Sequence, residues 1–402
     1  MSVVGIIAEY NPLHNGHIYH IEQAKKLADT EDVIISMSGN FVQRGEPAVA
    51  DKYTRAEWAI RSGASFVMEL PTVYAISSAE RFALGAVRQL ASTGIVTHLA
   101  FGCEDDDFDV LNQAAEMLSN ETPAFKNELH AQLKTGKSYP KARYDALKNT
   151  GTPEPFLEII KKPNNVLAIE YLRALKLYAP DIIPVPIKRN GNSYDEEELT
   201  GPISSSTSIR QALETHNESV LETMPFFVGG SMYYDESYPV TMTNFEQMIL
   251  YRMKTMSRTD ISALPDITES EGYANLLYSA AKNADSLQDL LDKIKTKRYT
   301  LARCKRILLA ALLHITAADI YNTVQSPDSE YIHPLAISKT KQSLLSSIRK
   351  YSSCPEIIRN SDIEFCNNGI KRNLYLDNLS TDVYSIASQN TVHHDYQGVV
   401  FI

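Results

Sequence analysis

Short apolar runs alternate with longer amphipathic stretches through the first half of the chain. Residues 3–8 form a β-branched, nearly uncharged run, which predicts a strand buried on both faces of a parallel sheet. Similar runs predict strands at residues 33–37, 65–70, 98–101 and 182–187, and helical periodicity predicts intervening helices at residues 52–61, 79–91 and 164–177. This alternation predicts an α/β fold with a doubly wound parallel sheet.

The pattern changes after about residue 230, where helical periodicity dominates. Helices are predicted at residues 244–254, 271–281 and 299–315, and short strands only near the end, within residues 377–402. We therefore expect two domains, one of residues 1–230 and a mainly helical one of residues 231–402.

A polar turn after the first predicted strand carries His14, Gly16 and His17 to the start of a predicted helix. Open α/β sheets bind ligands at such junctions. A helix start offers unpaired N–H groups to an anion, and a glycine lets a phosphate approach the backbone. Histidine N–H groups can donate to phosphate oxygens and stabilise a phosphoryl transition state. We therefore predict a nucleotide triphosphate site with His14 and His17 as catalytic residues.

Metal binding is the alternative use of this segment, because His14, His17 and His20 recur every third residue and imidazole is a common metal ligand. No cysteine or carboxylate cluster lies nearby in the sequence, so we predict no protein-held metal ion. The polar loop at residues 39–47 follows the second predicted strand and is expected to line the ligand crevice, with Arg44 as a candidate contact.

A second helix start, at residues 201–210, is crowded with serine and threonine. The hydroxyls of Ser206 and Thr207 and the guanidinium of Arg210 are suited to holding phosphates opposite the histidines. An extra serine separates Ile203 from Thr207, which leaves the register of each hydroxyl open.

The His14–His17 turn resembles the HxGH signature of the nucleotidyltransferase superfamily, and the second helix start resembles its ISSTxxR-like element. Further stretches resemble the bacterial tRNA(Met) cytidine acetate ligase family: GIIAEYNPLHNGH, SGNFVQRGEP, FGCE, KKPNNVLAIEYLRAL, EGYANLLY and KRYTLARCKRILL. The similarity covers essentially the whole chain. It implies a nucleotidyltransferase (HUP-like) catalytic domain.

The same resemblance implies an ATP-dependent, AMP-forming ligase. ATP activates acetate as acetyl-adenylate with release of pyrophosphate, and the acetyl group passes to the N4 amine of the wobble cytidine of elongator tRNA(Met), giving N4-acetylcytidine. Mg²⁺ is expected to bridge phosphate oxygens, as is usual in ATP chemistry.

The resemblance also implies which residues form the ATP site. In the first segment these are Ile7, Ala8, Glu9, Tyr10, Asn11, Pro12, Leu13, Asn15, Gly16, Ile18, Tyr19 and His20. Further along they are Gly102, Asn164 and Arg189, which suit close backbone approach, polar pairing and anion binding respectively. Ser206, Thr207 and Arg210 complete the predicted site.

Charge is distributed unevenly along the chain. It carries 39 basic and 49 acidic residues, and the net charge of −10 by itself disfavours broad nucleic-acid binding. Residues 292–306 instead hold seven basic residues and one acidic residue. We predict a helix there whose apolar stripe packs inward and whose basic outer face binds tRNA phosphates through Lys297, Arg298, Arg303 and Arg306. The alternative is a solvated charged face.

Two other classes of function share parts of this pattern. An adenylyltransferase acting on a small phosphorylated metabolite would need both phosphate motifs but no basic helical domain. A non-catalytic RNA- or nucleotide-binding module would not need the histidine pair. Because both His14 and His17 are present, an enzyme is favoured.

Four cysteines without CxxC spacing, and no apolar run long enough to span a membrane, favour a reduced cytoplasmic enzyme without membrane contact.

Overall fold

The computed structural model describes residues 2–104, 107–189, 198–388, 395–396 and 398–402. Its centre is a seven-stranded sheet made of β1 Val4–Ala8, β2 Val33–Ser38, β5 Phe66–Leu70, β6 His98–Cys103, β7 Ile183–Lys188, β8 Pro334–Ile337 and β9 Val400–Phe401. A separate hairpin consists of β3 Phe41–Val42 and β4 Glu46–Pro47. The strand order in the sheet is β7-β6-β1-β2-β5-β8-β9.

Helices surround the sheet on both faces. In the first part of the chain they are α1 Asn15–Leu27, α2 Lys52–Arg61, α3 Thr72–Ala75, α4 Ala79–Ser92, α5 Phe108–Ser119, α6 Pro123–Lys134, α7 Tyr139–Asn149, α8 Glu154–Ile159, α9 Pro163–Tyr178, α10 Ser206–Glu214 and α11 Phe226–Tyr233. The later ones are α12 Glu246–Thr255, α13 Arg258–Ser262, α14 Tyr273–Asn283, α15 Leu287–Ile294, α16 Leu301–Leu312, α17 Ala317–Gln325, α18 Gln342–Tyr351, α19 Asn360–Ile363 and α20 Asn368–Ala387.

The five strands of the first half confirm the predicted α/β fold. They pair in parallel in the order β7-β6-β1-β2-β5. Successive residues of β2 enter opposite cores: Val33 and Ile35 pack in one, Ile34 in the other. The strand order reverses between β1 and β6, so a crevice opens at the carboxyl ends of these two strands, where ligands of such sheets bind.

The second half is mainly helical, as expected, but it also adds two strands to the same sheet. β8 pairs antiparallel with β5, and β9 pairs parallel with β8. Among the described residues of the segment 377–402, the expected short strands are limited to β9, because α20 occupies residues 368–387. The boundary between two domains near residue 230 stays a prediction. The central sheet contains strands from both sides of this residue.

A buried ionic cluster at β5 joins the first and second halves of the chain. The Nζ of Lys52 lies 2.7 Å from Glu69 Oε2 and 2.8 Å from Asp395 Oδ1, and all three side chains are fully buried. His333, which precedes β8, places its Nδ1 2.8 Å from the same Glu69 oxygen. Lys52 and Glu69 come from the first half and the other two from the second, so the cluster fixes the C-terminal residues to the sheet.

Within the described ranges no single helix has the length and apolar composition needed to cross a membrane, although α16 and α17, bent by 95°, meet both criteria when taken together.

Candidate active site

The two histidines of the first turn form a reciprocal cap on α1. His14 is the N-cap residue, and its Nδ1 accepts the N–H of Gly16 at 3.1 Å. The Nδ1 of His17 in turn accepts the N–H of His14 at 3.3 Å. This arrangement is a capping box in which imidazoles replace the usual hydroxyl and carboxylate. Both Nδ1 atoms are therefore acceptors.

These hydrogen bonds determine the tautomers. In a neutral imidazole whose Nδ1 accepts, the proton is on Nε2. Burial lowers the pKa of His14 to about 3, with further lowering by Arg189 and Arg210. Burial also lowers the pKa of His17 well below its usual range, and His14 and Arg189 add to the effect. Both rings therefore present an Nε2–H donor at neutral pH.

Gly16 is required by the fold of the turn itself. A Cβ at this position would lie 2.9 Å from Cε1 of His14, whose ring folds back over the helix start. Any side chain here would therefore displace the capping imidazole. The edge-to-face contact of Tyr10 with His17, with ring centroids 4.9 Å apart, holds the second imidazole.

The second predicted motif forms the first turn of α10, with each hydroxyl at a defined position of the helix start. Ser205 is the N-cap residue, and its Oγ accepts the N–H of Ser208 at 3.0 Å. Ser206 follows it and places its Oγ 3.0 Å from Nε2 of His14. Arg210 points back along the helix, with Nη2 3.4 Å from the Oγ1 of Thr207.

Two further side chains, those of Asn15 and Arg210, connect the segments around the two motifs. The amide of Asn15 donates to the carbonyl oxygens of Pro202 and Glu222, each at 2.9 Å. Arg210 donates from Nη1 to the carbonyl oxygen of Asn11 at 2.9 Å. The N-termini of α1 and α10 thus line one cleft, and an anion between them would meet both sets of N–H groups.

Another wall of the cleft includes Gly102 in β6, Asn164 at the start of α9 and Arg189 just after β7. Glu104, just after β6, accepts the backbone N–H of Asn164 at 3.1 Å and its side-chain amide at 2.7 Å. Arg189, just after β7, donates from Nη1 to Oδ1 of Asn164 at 3.2 Å. Gly102 lines the cleft beside them. The predicted Gly102, Asn164 and Arg189 therefore lie together.

Most of the predicted ATP-site residues line this cleft: Ile7, Ala8, Glu9, Tyr10, Asn11, His14, Gly16, His17, Tyr19, His20, Gly102, Asn164, Arg189, Ser206, Thr207 and Arg210. Four do not. Leu13 is buried in the core, and Asn15 donates to the carbonyl oxygens of Pro202 and Glu222. Pro12 and Ile18 are also absent from the lining. These four lie beside lining residues in the sequence but support the turn instead.

A third wall is formed by the loop and hairpin after β2, within the polar loop of residues 39–47 that the sequence predicted to line the crevice. Gln43, Arg44 and Glu46 line the cleft there, and the backbone N–H of Gln43 donates to Oε1 of Glu9 at 2.8 Å. Only Arg44 had been a candidate. Four aromatic and aliphatic residues also contribute, and their apolar character resembles that of any core position: Phe82, Phe101, Leu167 and Tyr171.

Charge in the cleft favours a polyanion. The described lining contains four cationic side chains, Arg44, Lys188, Arg189 and Arg210, and two carboxylates, Glu9 and Glu46. Glu46 is already paired, with Lys305 Nζ at 2.5 Å from its Oε1. The side chains offer no pair of free carboxylates for Mg²⁺, which binds by oxygen ligands. The described lining residues therefore do not form a site for this ion by themselves.

The predicted basic outer face differs from expectation. Arg303 lies over the ring of Tyr299, 3.9 Å from its centroid, and its Nε donates to the carbonyl oxygen of Asp266 at 3.1 Å. Arg306 is 3.5 Å from Oδ2 of Asp266 and donates to the carbonyl oxygen of Gln43 at 3.4 Å. Sequence periodicity cannot reveal these partners, because they come from distant loops.

The other two residues of that set differ from each other. Arg298 pairs with Glu271 at 3.0 Å, whereas Lys297 is exposed and has no ion-pair partner within the described part of the chain. Lys297 lines an open groove with Lys137 and Lys141, from the start of α7.

Comparisons with known proteins agree with this arrangement. The HIGH Nucleotidyl Transferase family model matches residues 1–398. The tRNA(Met) cytidine acetate ligase of Acetivibrio thermocellus is 38% identical, over 97% of this chain and 96% of the relative. The namesake from Caldanaerobacter subterraneus subsp. tengcongensis is also 38% identical, over the same shares.

Solved structures of Thermotoga maritima TmcAL are similar over 100% of both chains. The apo form has a TM-score of 0.93 at 30% identity. The form bound with alpha-thio ATP has a TM-score of 0.90 at 29% identity.

Proposed function

The chain belongs to the HIGH nucleotidyl transferase family and, within it, to the tRNA(Met) cytidine acetate ligases, and from this membership we propose that it acetylates tRNA. ATP and acetate give acetyl-adenylate and pyrophosphate. The N4 amine of the wobble cytidine of elongator tRNA(Met) then takes the acetyl group, and AMP leaves.

The observation that carries this proposal is the meeting of two helix starts in one cationic cleft. The α1 and α10 N-termini, the Nε2–H groups of His14 and His17 and the guanidinium of Arg210 converge there. Each is a donor or cation suited to phosphate oxygens. The alpha-thio ATP bound to the Thermotoga maritima relative supports ATP as the ligand.

In the adenylation step, acetate needs no base because it is ionised at neutral pH. Its oxygen attacks the α-phosphorus, and pyrophosphate leaves on the opposite side. The protein contributes orientation and charge stabilisation. We assign the Nε2–H of His17 to the phosphate oxygens. The Nε2–H of His14 donates to Ser206 Oγ, so His14 acts on the phosphates through the Ser206 hydroxyl. Arg210 and Thr207 complete the phosphate contacts.

The nucleoside is assigned to the wall at β6 and β7. Gly102 exposes backbone there, and the linked side chains of Asn164 and Arg189 offer amide and guanidinium donors. The phosphates then extend toward α1 and α10. The wall at β2 and the β3–β4 hairpin remains for the acetyl group and the cytidine.

For tRNA, we propose the mainly helical second half as the binding region. Of the four predicted phosphate contacts, Lys297 is the one whose exposure and lack of an ion-pair partner among the described residues best suit it. Arg298, Arg303 and Arg306 would reach phosphates only by sharing or leaving their present acceptors.

The test is incubation of the purified protein with ATP, ¹³C-labelled acetate and an unmodified elongator tRNA(Met) transcript, followed by mass analysis of nucleosides. We expect ¹³C-acetylcytidine, formed only when ATP and acetate are both present. A transcript carrying uridine at the wobble position is the matched control. Release of pyrophosphate with a phosphorylated metabolite, and none with acetate, would instead indicate the adenylyltransferase alternative.

A further inference from the structure

The pKa values of the two carboxyl groups in the cleft, those of Glu9 and Glu46, are shifted in opposite directions. Glu46 is bound to Lys305, and that lysine is the main cause that lowers its pKa against the effect of burial. For Glu9, burial dominates and raises the pKa, while the Gln43 N–H, Arg210, Arg44 and Arg55 lower it only in part. Two carboxyl groups whose environments separate their pKa values in this way are a common basis for acid–base assignments.

Of the two carboxylate oxygens of Glu9, one accepts a hydrogen bond from the protein and the other accepts none from the described residues. Its Oε1 accepts the backbone N–H of Gln43 at 2.8 Å. Its Oε2 has no hydrogen-bond donor among the described residues, and the side chain lines the cleft. The backbone is fixed too, because the buried Arg55 donates from Nη1 to the Glu9 carbonyl oxygen at 2.6 Å.

The position of Glu9 matches the side from which a second substrate must come. It follows β1 directly, and its hydrogen bond with the Gln43 N–H places it at the wall formed by the loop and hairpin after β2. Helix α16 packs against the hairpin on this same side, through Lys305 with Glu46 and Arg306 with Gln43. The proposed tRNA-binding half therefore adjoins the wall that presents Glu9.

The histidines cannot serve as the base for the transfer step. The Nδ1 atoms of His14 and His17 already accept backbone N–H groups, and their Nε2 atoms carry the remaining ring proton. A base is nevertheless needed, because the amine of cytosine must lose a proton as it becomes an amide.

We propose that Glu9 is the general base of acetyl transfer. The cytidine N4 lone pair attacks the acetyl carbonyl carbon, and the new C–N bond forms. The carboxylate of Glu9 accepts one N4 proton through Oε2, and the bond from carbon to the adenylate oxygen breaks. AMP leaves as a phosphate monoester, and the proton is later returned to water. This assignment rests on the function proposed above.

Separate assays of the two half-reactions distinguish a failure of this proposal from a failure of the proposed function. Acetate-dependent exchange of labelled pyrophosphate into ATP measures adenylation, in the presence of the tRNA that carries uridine at the wobble position. Single-turnover acetylation of the normal transcript measures transfer. Loss of a general base typically costs about 10²–10⁴-fold. We expect Glu9→Gln to lower the transfer rate by about this factor and to lower exchange less than about tenfold.

Glu57→Gln is the control, because this partly exposed carboxylate on α2 pairs with Arg61 and lies outside the lining of the cleft. Its transfer-to-exchange ratio should stay within about tenfold of that of the unaltered protein, well below the factor expected for a base. Equal losses of exchange and transfer in Glu9→Gln would make Glu9 a substrate-binding or structural residue and would overturn the proposal. Absence of exchange in the unaltered protein would instead overturn the proposed function.

A pH profile tests the proton directly. With Glu9 as base, the transfer rate of the unaltered protein rises with pH to a plateau, and Glu9→Gln removes this rise. The charged or titratable groups that face Glu9 are Arg210, Arg44, Arg55 and Tyr171; the first three are cations and the pKa of Tyr171 is raised by burial. The same rise in Glu9→Gln would contradict the assignment.

Discussion

The Nε2 of His14 lies 3.0 Å from the Oγ of Ser206, so two motifs separated by 192 positions in the chain meet through one hydrogen bond. The neutral imidazole donates and the hydroxyl accepts, which leaves the hydroxyl proton free to point to a phosphate oxygen. The His14 imidazole at the start of α1 therefore donates to the Ser206 hydroxyl at the start of α10, and this hydroxyl can donate to a phosphate.

Replacing Ser206 by alanine should weaken ATP binding. The substitution removes one hydroxyl donor and leaves the His14 Nε2–H without its acceptor, and one such hydrogen bond contributes about 0.5–1.5 kcal/mol. We expect the KM for ATP in the exchange reaction to rise by up to about tenfold. Ser219→Ala, in the short helix after α10, is the control and should leave it unchanged. An unaltered KM in Ser206→Ala would place the phosphates elsewhere.

His14 and His17 should stay neutral under mildly acidic conditions. Burial and neighbouring arginines lower the pKa of His14 to about 3 and hold that of His17 well below its usual range. In ¹⁵N spectra of histidine-labelled protein, we expect both rings as the Nε2–H tautomer at pH 5.5. His130 on α6, which is exposed, serves as the reference signal for a ring in contact with solvent. Imidazolium signals for His14 or His17 would contradict the capping arrangement.

Lys297 and Arg306 should behave differently although both belong to the basic segment. Lys297 is exposed, so Lys297→Ala should weaken tRNA binding and reduce the salt slope by about 0.7–0.9 for one lost phosphate contact, with an unchanged melting temperature. Arg306→Ala should lower the melting temperature, because it removes the contacts of α16 with Asp266 and Gln43. Filter binding at several salt concentrations and calorimetry check both. An unchanged slope in Lys297→Ala would remove it from the tRNA surface.

Lys52 should be essential for stability. Removing one partner of a buried ion pair costs about 3–5 kcal/mol, because an uncompensated charge stays buried. Lys52→Met leaves two buried carboxylates, Glu69 and Asp395, without their cation. We expect its free energy of unfolding in urea to fall by that amount. Lys25→Met, which breaks a partly exposed pair with Glu31, should change it by less than about 1 kcal/mol.

Much of the α/β half could be predicted from the chain itself, because strands buried on both faces are continuous apolar runs. Helix α2 has the predicted bounds, and β2 and β5 differ by one residue at an end. The addition of β8 to the sheet could not be predicted, since a four-residue apolar run does not indicate its distant pairing partner. The four helices α5–α8, between β6 and α9, were also not predicted.

The candidate site shows the same contrast between local features, which the sequence predicts, and contacts between distant segments, which it does not predict. Sequence placed the histidines and Ser206, because turns and helix caps are local. It predicted that the loop at residues 39–47 lines the crevice, but not the contact of Gln43 with Glu9 or the acceptors of Arg303 and Arg306. Those contacts depend on how loops from different parts of the chain pack. The reciprocal histidine cap was local but unexpected, since imidazole seldom replaces the hydroxyl and carboxylate of a capping box.

The central claim is that the cleft between α1 and α10 adenylates acetate, and the most direct test is acetate-dependent exchange of labelled pyrophosphate into ATP. We expect exchange in the unaltered protein and a loss of about 10²–10³-fold in His17→Ala, as is typical when one preorganised donor is removed. His130→Ala, on the surface of α6, should exchange normally. Exchange that does not require acetate, or that survives intact in His17→Ala, would contradict the account.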